Sequence, residues 1–336
     1  MLRTFRTEGH NGYACPFSPF FENRIAVASA ANFGIVGNGR LWILDINAPP
    51  APGPPGAAGG GVALQRSYDT QDGLFDACWS ELNENQIVAC SGDGSIKLFD
   101  TGVPDPFPIA NWREHSREVF SVSWNQVKKD TFVSSSWDHT VKVWNPTHPR
   151  SLLTFSEHTH CVYTAAYHPS HPDLLASCSG DHTLKLWDLK TPRSVATIRA
   201  HANEVLSCDW NKYKEHVVVT GGVDHEVRVW DTRNPAAPVT VMRGHEYAVR
   251  RVRCSPHNEA IVASAGYDMT VRFWDTNLAA RAGPGGAQGA GCVFVHDRHT
   301  EFVLGVDFSL YVEGLVATAA WDEWVHVFAP PVVGRR

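Results

Sequence analysis

Serine or threonine, histidine and aspartate together can supply a nucleophile, its base and the group that orients the base, and this sequence offers such a set four times with a Trp six residues after the Asp, and once more at His299, Thr318 and Asp322 with Phe328 in place of the Trp. The four are His115, Ser134, Asp138; His158, Ser177, Asp181; His201, Thr220, Asp224; and His245, Ser264, Asp268. A hydrolase needs one such relay in one cleft. Four copies point instead to a structural part that recurs with the chain. No unique nucleophile, Gly-rich phosphate loop or metal cluster stands out beside them, so the reading is non-enzymatic and without a cofactor. His168 and His171 flank Pro169 and Ser170 with no Cys or acidic residue close by in sequence, and zinc is not expected there. Eight cysteines stand singly within apolar runs, without a C-x-x-C, and read as reduced, buried thiols.

The elements that hold these residues belong to a globular protein of 336 residues, 43% hydrophobic and 19% charged. With 29 Lys+Arg against 35 Asp+Glu, the net charge of -6 leaves no surplus of cations for nucleic acid phosphates. No apolar run approaches the roughly 18 residues of a membrane span, and Met1 to Arg6 lacks the apolar centre of a secretory signal. A soluble protein without direct membrane insertion is expected.

One unit repeats from end to end. Seven segments alternate apolar and polar residues, the pattern of a strand with one buried face, and end at Leu44, Phe99, Trp144, Trp187, Trp230, Trp274 and Phe328. Six residues before each end stands a turn residue: Asn38, Asp93, Asp138, Asp181, Asp224, Asp268 or Asp322. The two long intervals contain Pro/Gly/Ala-rich stretches at 49–61 and 279–291, expected to be flexible insertions in a single domain spanning 1–336. Leu2 to Arg6 matches the strand that precedes each His region, while the chain ends soon after Phe328, so the first strand is expected to complete the last repeat.

The period, the Gly244-His245 pair and the recurrent Trp-Asp pairs resemble the WD-repeat family. The resemblance implies an all-β fold, a seven-bladed β-propeller closed by the N-terminal strand. It also implies that each His, Ser/Thr, Asp and Trp set forms a hydrogen-bonded chain inside one blade. The first two repeats lack most of the set and are expected to be less tied internally.

A propeller works through its faces. By the same resemblance, the positions three and five after each His, and the residue before each turn Asp, face one mouth of the central channel. These include Glu118 and Phe120, Cys161 and Tyr163, Glu204 and Leu206, Ala248 and Arg250, Phe302 and Leu304, with Trp137, Tyr267 and Trp321 from the turns. Aligned through Phe17 and Trp79, the first two repeats add Tyr13 and Phe75, with Asp76 beside them. The candidate peptide-binding residues are therefore Tyr13, Phe75, Asp76, Glu118, Phe120, Trp137, Tyr163, Glu204, Leu206, Tyr267, Phe302 and Trp321: a discontinuous aromatic ring with acidic groups set into it. Such a surface suits an amphipathic helix carrying a Lys or Arg.

Stretches outside the general repeat pattern carry a closer resemblance. Gln71 to Ser80, Val205 to Tyr213, Ala248 to Arg253, and His299 to Phe302 with Asp307 to Leu310 are similar to the peroxisomal receptors for the type 2 targeting signal, a family of peroxins. That implies a non-enzymatic import receptor that binds the N-terminal signal of matrix proteins in the cytosol. A co-receptor peroxin would join it, and the complex would reach the peroxisomal docking complex, with the receptor cycling to the peroxisomal membrane or matrix with cargo. A WD-repeat adaptor of another class, such as a ubiquitin-ligase substrate receptor or a histone-binding subunit, is the alternative.

Overall fold

The computed structural model describes residues 2–48, 61–283 and 287–331. Seven antiparallel sheets of four strands follow one another around a ring. The first blade runs through Asn11–Ala14, Arg24–Ala30, Gly39–Ala48 and Gly61–Thr70, innermost strand first. The seventh takes Val303–Phe308, Val316–Ala320 and Trp324–Phe328 from the end of the chain and Arg3–Arg6 from its beginning. Thr4 lies opposite His326 in that junction, and Thr7 N–H continues it by donating to Glu323 O at 2.8 Å. The ring thus closes by pairing the two ends of the chain, as the sequence implies, and Trp324–Phe328 is paired on both edges.

Alternation along each strand buries one side chain in two, and the middle strands are buried on both faces because each sheet packs between two others. Val, Ile, Ala and Trp fill these layers; Trp144, Trp187 and Trp274 are completely enclosed. Neighbouring blades are also stitched near the channel by side chains of the innermost strands. Asp76 accepts from Val122 N–H, Ser121 from Ala165 N–H, Ser207 from Val252 N–H and Asp307 from Phe17 N–H. Thr164 donates to Leu206 O, Arg251 to Leu304 O, and the Trp79 indole to Pro16 O. One link therefore joins every adjacent pair of blades.

The recurrent polar sets form the chains expected of them. In the third blade the Trp144 indole donates to Ser134 Oγ at 2.8 Å, Ser134 lies 2.8 Å from His115 Nε2, and His115 Nδ1 lies 2.8 Å from Asp138. Since an indole can only donate, one proton arrangement satisfies all four groups: serine donates to Nε2 and the Nδ1–H donates to aspartate. Burial alone would raise the Asp138 carboxyl, but the His115 contact outweighs it and holds the group below the ordinary range. In the sixth blade, burial opposed by His245 leaves Asp268 at about 2. Ser134 is fully buried, so no substrate reaches this relay. Each of these aspartates also accepts N–H bonds in its turn, and the residue after it takes a positive φ, at His139, His182, His225, Met269 and Glu323.

Two sequence readings change. The first two blades are tied by other groups: the Trp42 indole donates to Ser29 Oγ in a buried bond, and Asp93 accepts from Ser95 N–H and from Lys97. The stretch expected to be a flexible insertion from 279 begins inside a helix, Thr276–Ala282, capped by the Asp275 carboxylate, with Ala279 buried. Gly289 N–H then donates to Arg243 O, and Asp275 N–H to Gly291 O, so this segment is pinned at both ends. Gly61 already belongs to a strand. Residues 49–60 and 284–286 lie outside those described.

Candidate functional site

A single device aims one side chain per blade at the mouth of the channel. Each innermost strand carries a β-bulge, and the residue skipped by the pairing is Tyr13, Phe75, Phe120, Tyr163, Leu206, Arg250 or Leu304. A bulge breaks the strict alternation of the strand and re-aims the extra residue. All seven line the same cavity of about 510 Å³. Beside each bulge in six blades, the N–H before the turn residue bonds to the carbonyl two residues before the bulge. Trp137 N–H donates to Glu118 O, Val223 to Glu204 O, and Trp321 to Phe302 O. Those bonds place Glu118 and Glu204 next to turn side chains at the mouth.

The aromatic groups touch in series along an arc from Tyr267 to Tyr163, and the fifth blade, with Leu206 and Val223, leaves the ring open. Ring centres lie 4.8 Å apart for Tyr267 and Phe302, 5.3 Å for Phe302 and Trp321, 5.9 Å for Trp321 and Tyr13, and 5.0 Å for Tyr13 and Phe75. The series continues through Phe75 and Phe120 at 4.8 Å to Trp137, stacked on Phe120 at 4.7 Å and 8°, with Tyr163 edge-on to Phe120 at 5.9 Å. Glu204 accepts the Tyr163 hydroxyl at 2.9 Å, and burial together with that carboxylate raises the phenol's pKa. The Glu118 carboxylate has no hydrogen-bond or ion-pair partner among the described residues, and the residue is half-buried.

All the expected site residues except Asp76 and Phe302 line this cavity. Phe302 stands behind it, supporting Tyr267 and Trp321. Asp76 does not belong to the mouth. The residue after the bulge resumes the pairing, and its carboxylate turns into the channel, 2% exposed, to meet the Arg251 guanidinium at 3.2 Å. It borders the cavity at the opposite mouth, with Asp209, Asp307 and Arg253. Tyr13, Phe75 and Leu206 are also deeper than a surface ring requires, each about 95% covered, and form the floor; Phe120, Trp137, Tyr163, Tyr267 and Trp321 remain partly open.

Sequence reasoning missed an overhang in the first blade. Its inner turn, Ala31 to Asn38, is longer than its counterparts and brings Phe33, Gly34 and Ile35 over the cavity. Phe33 O accepts the Tyr13 hydroxyl, Phe33 N–H donates to Asn11, and the Phe33 ring lies 5.3 Å from Trp321. Gly34 is required there: its φ is +69°, and a Cβ would lie 2.5 Å from the Tyr13 oxygen. Ile35 is left 81% exposed. The available signal was the apolar group Phe33, Ile35 and Val36 within a turn.

The histidines outside the repeated sets are also accounted for. His168 lies 2.8 Å from Glu215 O through Nε2 and accepts two backbone N–H bonds at Nδ1, which occupies both nitrogens. His296, His299 and His326 gather in the seventh blade with ring nitrogens within 4.8 Å. His299 is engaged by Asp322 and Thr318, and His296 and His326 share a 2.9 Å contact that holds one proton. Both nitrogens of His299 are thus occupied, as is one nitrogen each of His296 and His326.

Seven four-stranded blades, repeated buried polar chains and a ring junction made from both chain ends define a WD-repeat β-propeller. The model of the WD domain, G-beta repeat, matches residues 107–145, 149–188, 192–231 and 236–275. Over 95% of its length the chain is 58% identical to Peroxisome biogenesis protein 7 of Arabidopsis thaliana, covering 95% of that protein. It is 54% identical to the Peroxisomal targeting signal 2 receptor of Dictyostelium discoideum, with 90% of each chain covered, and 46% identical to that of Mus musculus, over 98% of this chain and 96% of the other. The chain belongs to the family of peroxisomal targeting signal 2 receptors. Among the described residues no helix is long and apolar enough to cross a membrane.

Proposed function

We propose that this protein binds the N-terminal type 2 targeting signal of peroxisomal matrix proteins at the mouth lined by the bulge residues. With a co-receptor it would deliver them to the peroxisomal docking machinery. The observation that carries this reading is the mouth itself: an arc of touching aromatic rings beside a cavity of about 510 Å³, with two carboxylates, Glu118 and Glu204, at its edge. An amphipathic helix would place apolar side chains against Phe120, Trp137, Tyr163 and Leu206 and its cationic groups against the carboxylates. Each aliphatic anchor buried gains about 1.5–3 kcal/mol. Two or three anchors, less the cost of ordering the helix, give affinity in the micromolar range, which a co-receptor covering the bound segment would raise. The protein would act without catalysis, in the cytosol, and reach the peroxisome with its cargo.

The test is a double charge reversal, Glu118→Arg with Glu204→Arg, assayed by capture of a signal-bearing cargo. Loss of capture with an unchanged melting temperature is expected, because neither carboxylate pairs with a cation of the scaffold. Undiminished capture by the folded variant contradicts the assigned mouth.

A further inference from the structure

Arg250 and Arg251 are neighbours in sequence and are both 2% exposed, yet they end differently. Arg251 is satisfied: it meets Asp76 through two nitrogens, at 3.3 and 3.2 Å, and donates to Leu304 O through the third. Arg250, the bulge residue of the sixth blade, has no hydrogen bond and no ion pair among the described residues, and its Nη1 is buried without a partner. Its guanidinium reaches across the channel to lie 5.4 Å from the centre of the Phe120 ring, in the third blade. The ring holds the cation by its face and leaves its edge, where the N–H groups lie, unanswered.

One further donor at the same cavity shares this condition. The indole N–H of Trp137 is buried and has no acceptor among the described residues, while that of Trp321 leans on the Tyr13 hydroxyl. Glu204, which lines the same cavity, accepts the Tyr163 hydroxyl and makes no bond to Arg250. An arginine stays charged at any physiological pH, and an enclosed, unpaired cation is costly. The mouth therefore has a negative edge and, within it, the unanswered donors of Arg250 and Trp137, and its hydrogen bonding is complete only when an oxygen acceptor arrives from outside.

We propose that Arg250 is a specificity-determining residue of this mouth, receiving a side-chain oxygen, of a carboxamide or a carboxylate, from the channel-facing side of the bound peptide. The inference rests on the peptide-receptor reading above and adds to it a requirement that apolar and basic positions alone do not meet. A charge-assisted bond formed away from water is worth more than one at the surface, so the acceptor is read strongly.

The experiment is a coupling measurement by fluorescence anisotropy. A labelled basic amphipathic peptide is made as a set in which each non-basic position in turn is Gln or Leu, and binding is compared for the wild type and Arg250→Met. One position is expected at which Gln outbinds Leu by about 10- to 100-fold in the wild type, with that ratio collapsing to near one in the variant. Equal weakening of every peptide by Arg250→Met would mark the residue as structural, and an unchanged Gln-to-Leu ratio would remove it from recognition; either overturns the proposal. If Arg250→Met does not fold, Arg250→Lys serves, with the ratio expected to shrink and an unchanged ratio again overturning the proposal. A wild type that binds none of the set contradicts the receptor reading itself, an outcome distinct from selective failure of the Arg250 coupling.

Discussion

The two mouths of the channel are built from adjacent residues with opposite fates. Phe75 and Arg250 face one mouth; Asp76 and Arg251, one step along the same strands, face the other. At the second mouth the charges answer each other, Asp76 to Arg251 and Arg253 to Asp307 at 3.6 Å, and the blades are stitched through them. At the first, aromatic faces stand partly open, and among the described residues the Glu118 carboxylate has no partner and the buried N–H groups of Arg250 and Trp137 have no acceptor. Paired groups hold the wheel together, whereas unpaired ones cost stability and are explained by what they receive.

Breaking the paired mouth has the largest expected effect. Asp76→Ala leaves Arg251 buried without its counter-ion and is expected to cost about 3–5 kcal/mol, read by chemical denaturation. A loss below about 1 kcal/mol would mean that the pair does not hold the ring. A second weak point of the scaffold is pH-dependent. Burial, with its neighbours His299 and His326, lowers His296 to about 3, and burial with His299 lowers His326 to about 4. Both folded values lie below the unfolded value of 6.5, so the stability they support is complete above 6.5 and drains as pH falls toward 3. By pH 5 the loss is about 2 kcal/mol for each histidine. His296→Leu restores the apolar character found at Phe155, Ile198 and Met242 in other copies. It is expected to flatten the melting-temperature profile between pH 7 and 5; a profile parallel to the wild type would exclude the pair as its source.

The open mouth is expected to behave in the reverse sense. Trp137→Ala should weaken binding of a signal peptide by about tenfold, with little change in its salt dependence, since a stacked apolar anchor is lost rather than a charge. A change in salt dependence as large as that of the charge reversal would place Trp137 among the electrostatic contacts. The smallest effect belongs to Glu118→Gln. Removing an unpartnered carboxylate should shift stability by no more than about 0.5 kcal/mol, against the several lost at Asp76. A larger loss would show that Glu118 holds the scaffold.

Much of this was legible in the sequence because the repeat supplies its own alignment. The period, the turn aspartates and the His positions located the strands, the ring closure and the bulge residues, since each copy obeys the same geometry. What escaped lies where one copy departs from the rest. The turn from Ala31 to Asn38 has no counterpart to reveal that Phe33 folds back over Tyr13. Nor does spacing reveal depth: Asp76 sits beside Phe75 in the chain, but the end of the bulge sends their side chains to opposite mouths. Arg250 occupied a recognised facing position, yet its lack of a partner is a property of the surroundings. The His296 and His326 contact joins strands thirty residues apart, which no local pattern records.

The central claim is that a basic helical signal seats among the bulge residues of the open mouth. Photo-cross-linking tests it most directly, with a reactive group on the apolar side of a signal peptide and the attached residues mapped by mass spectrometry. Attachment to Phe120, Trp137, Tyr163 or Leu206 is predicted. Attachment at the opposite mouth, around Pro16, Lys212 and Pro256, or on the outer strands of the blades, would contradict it.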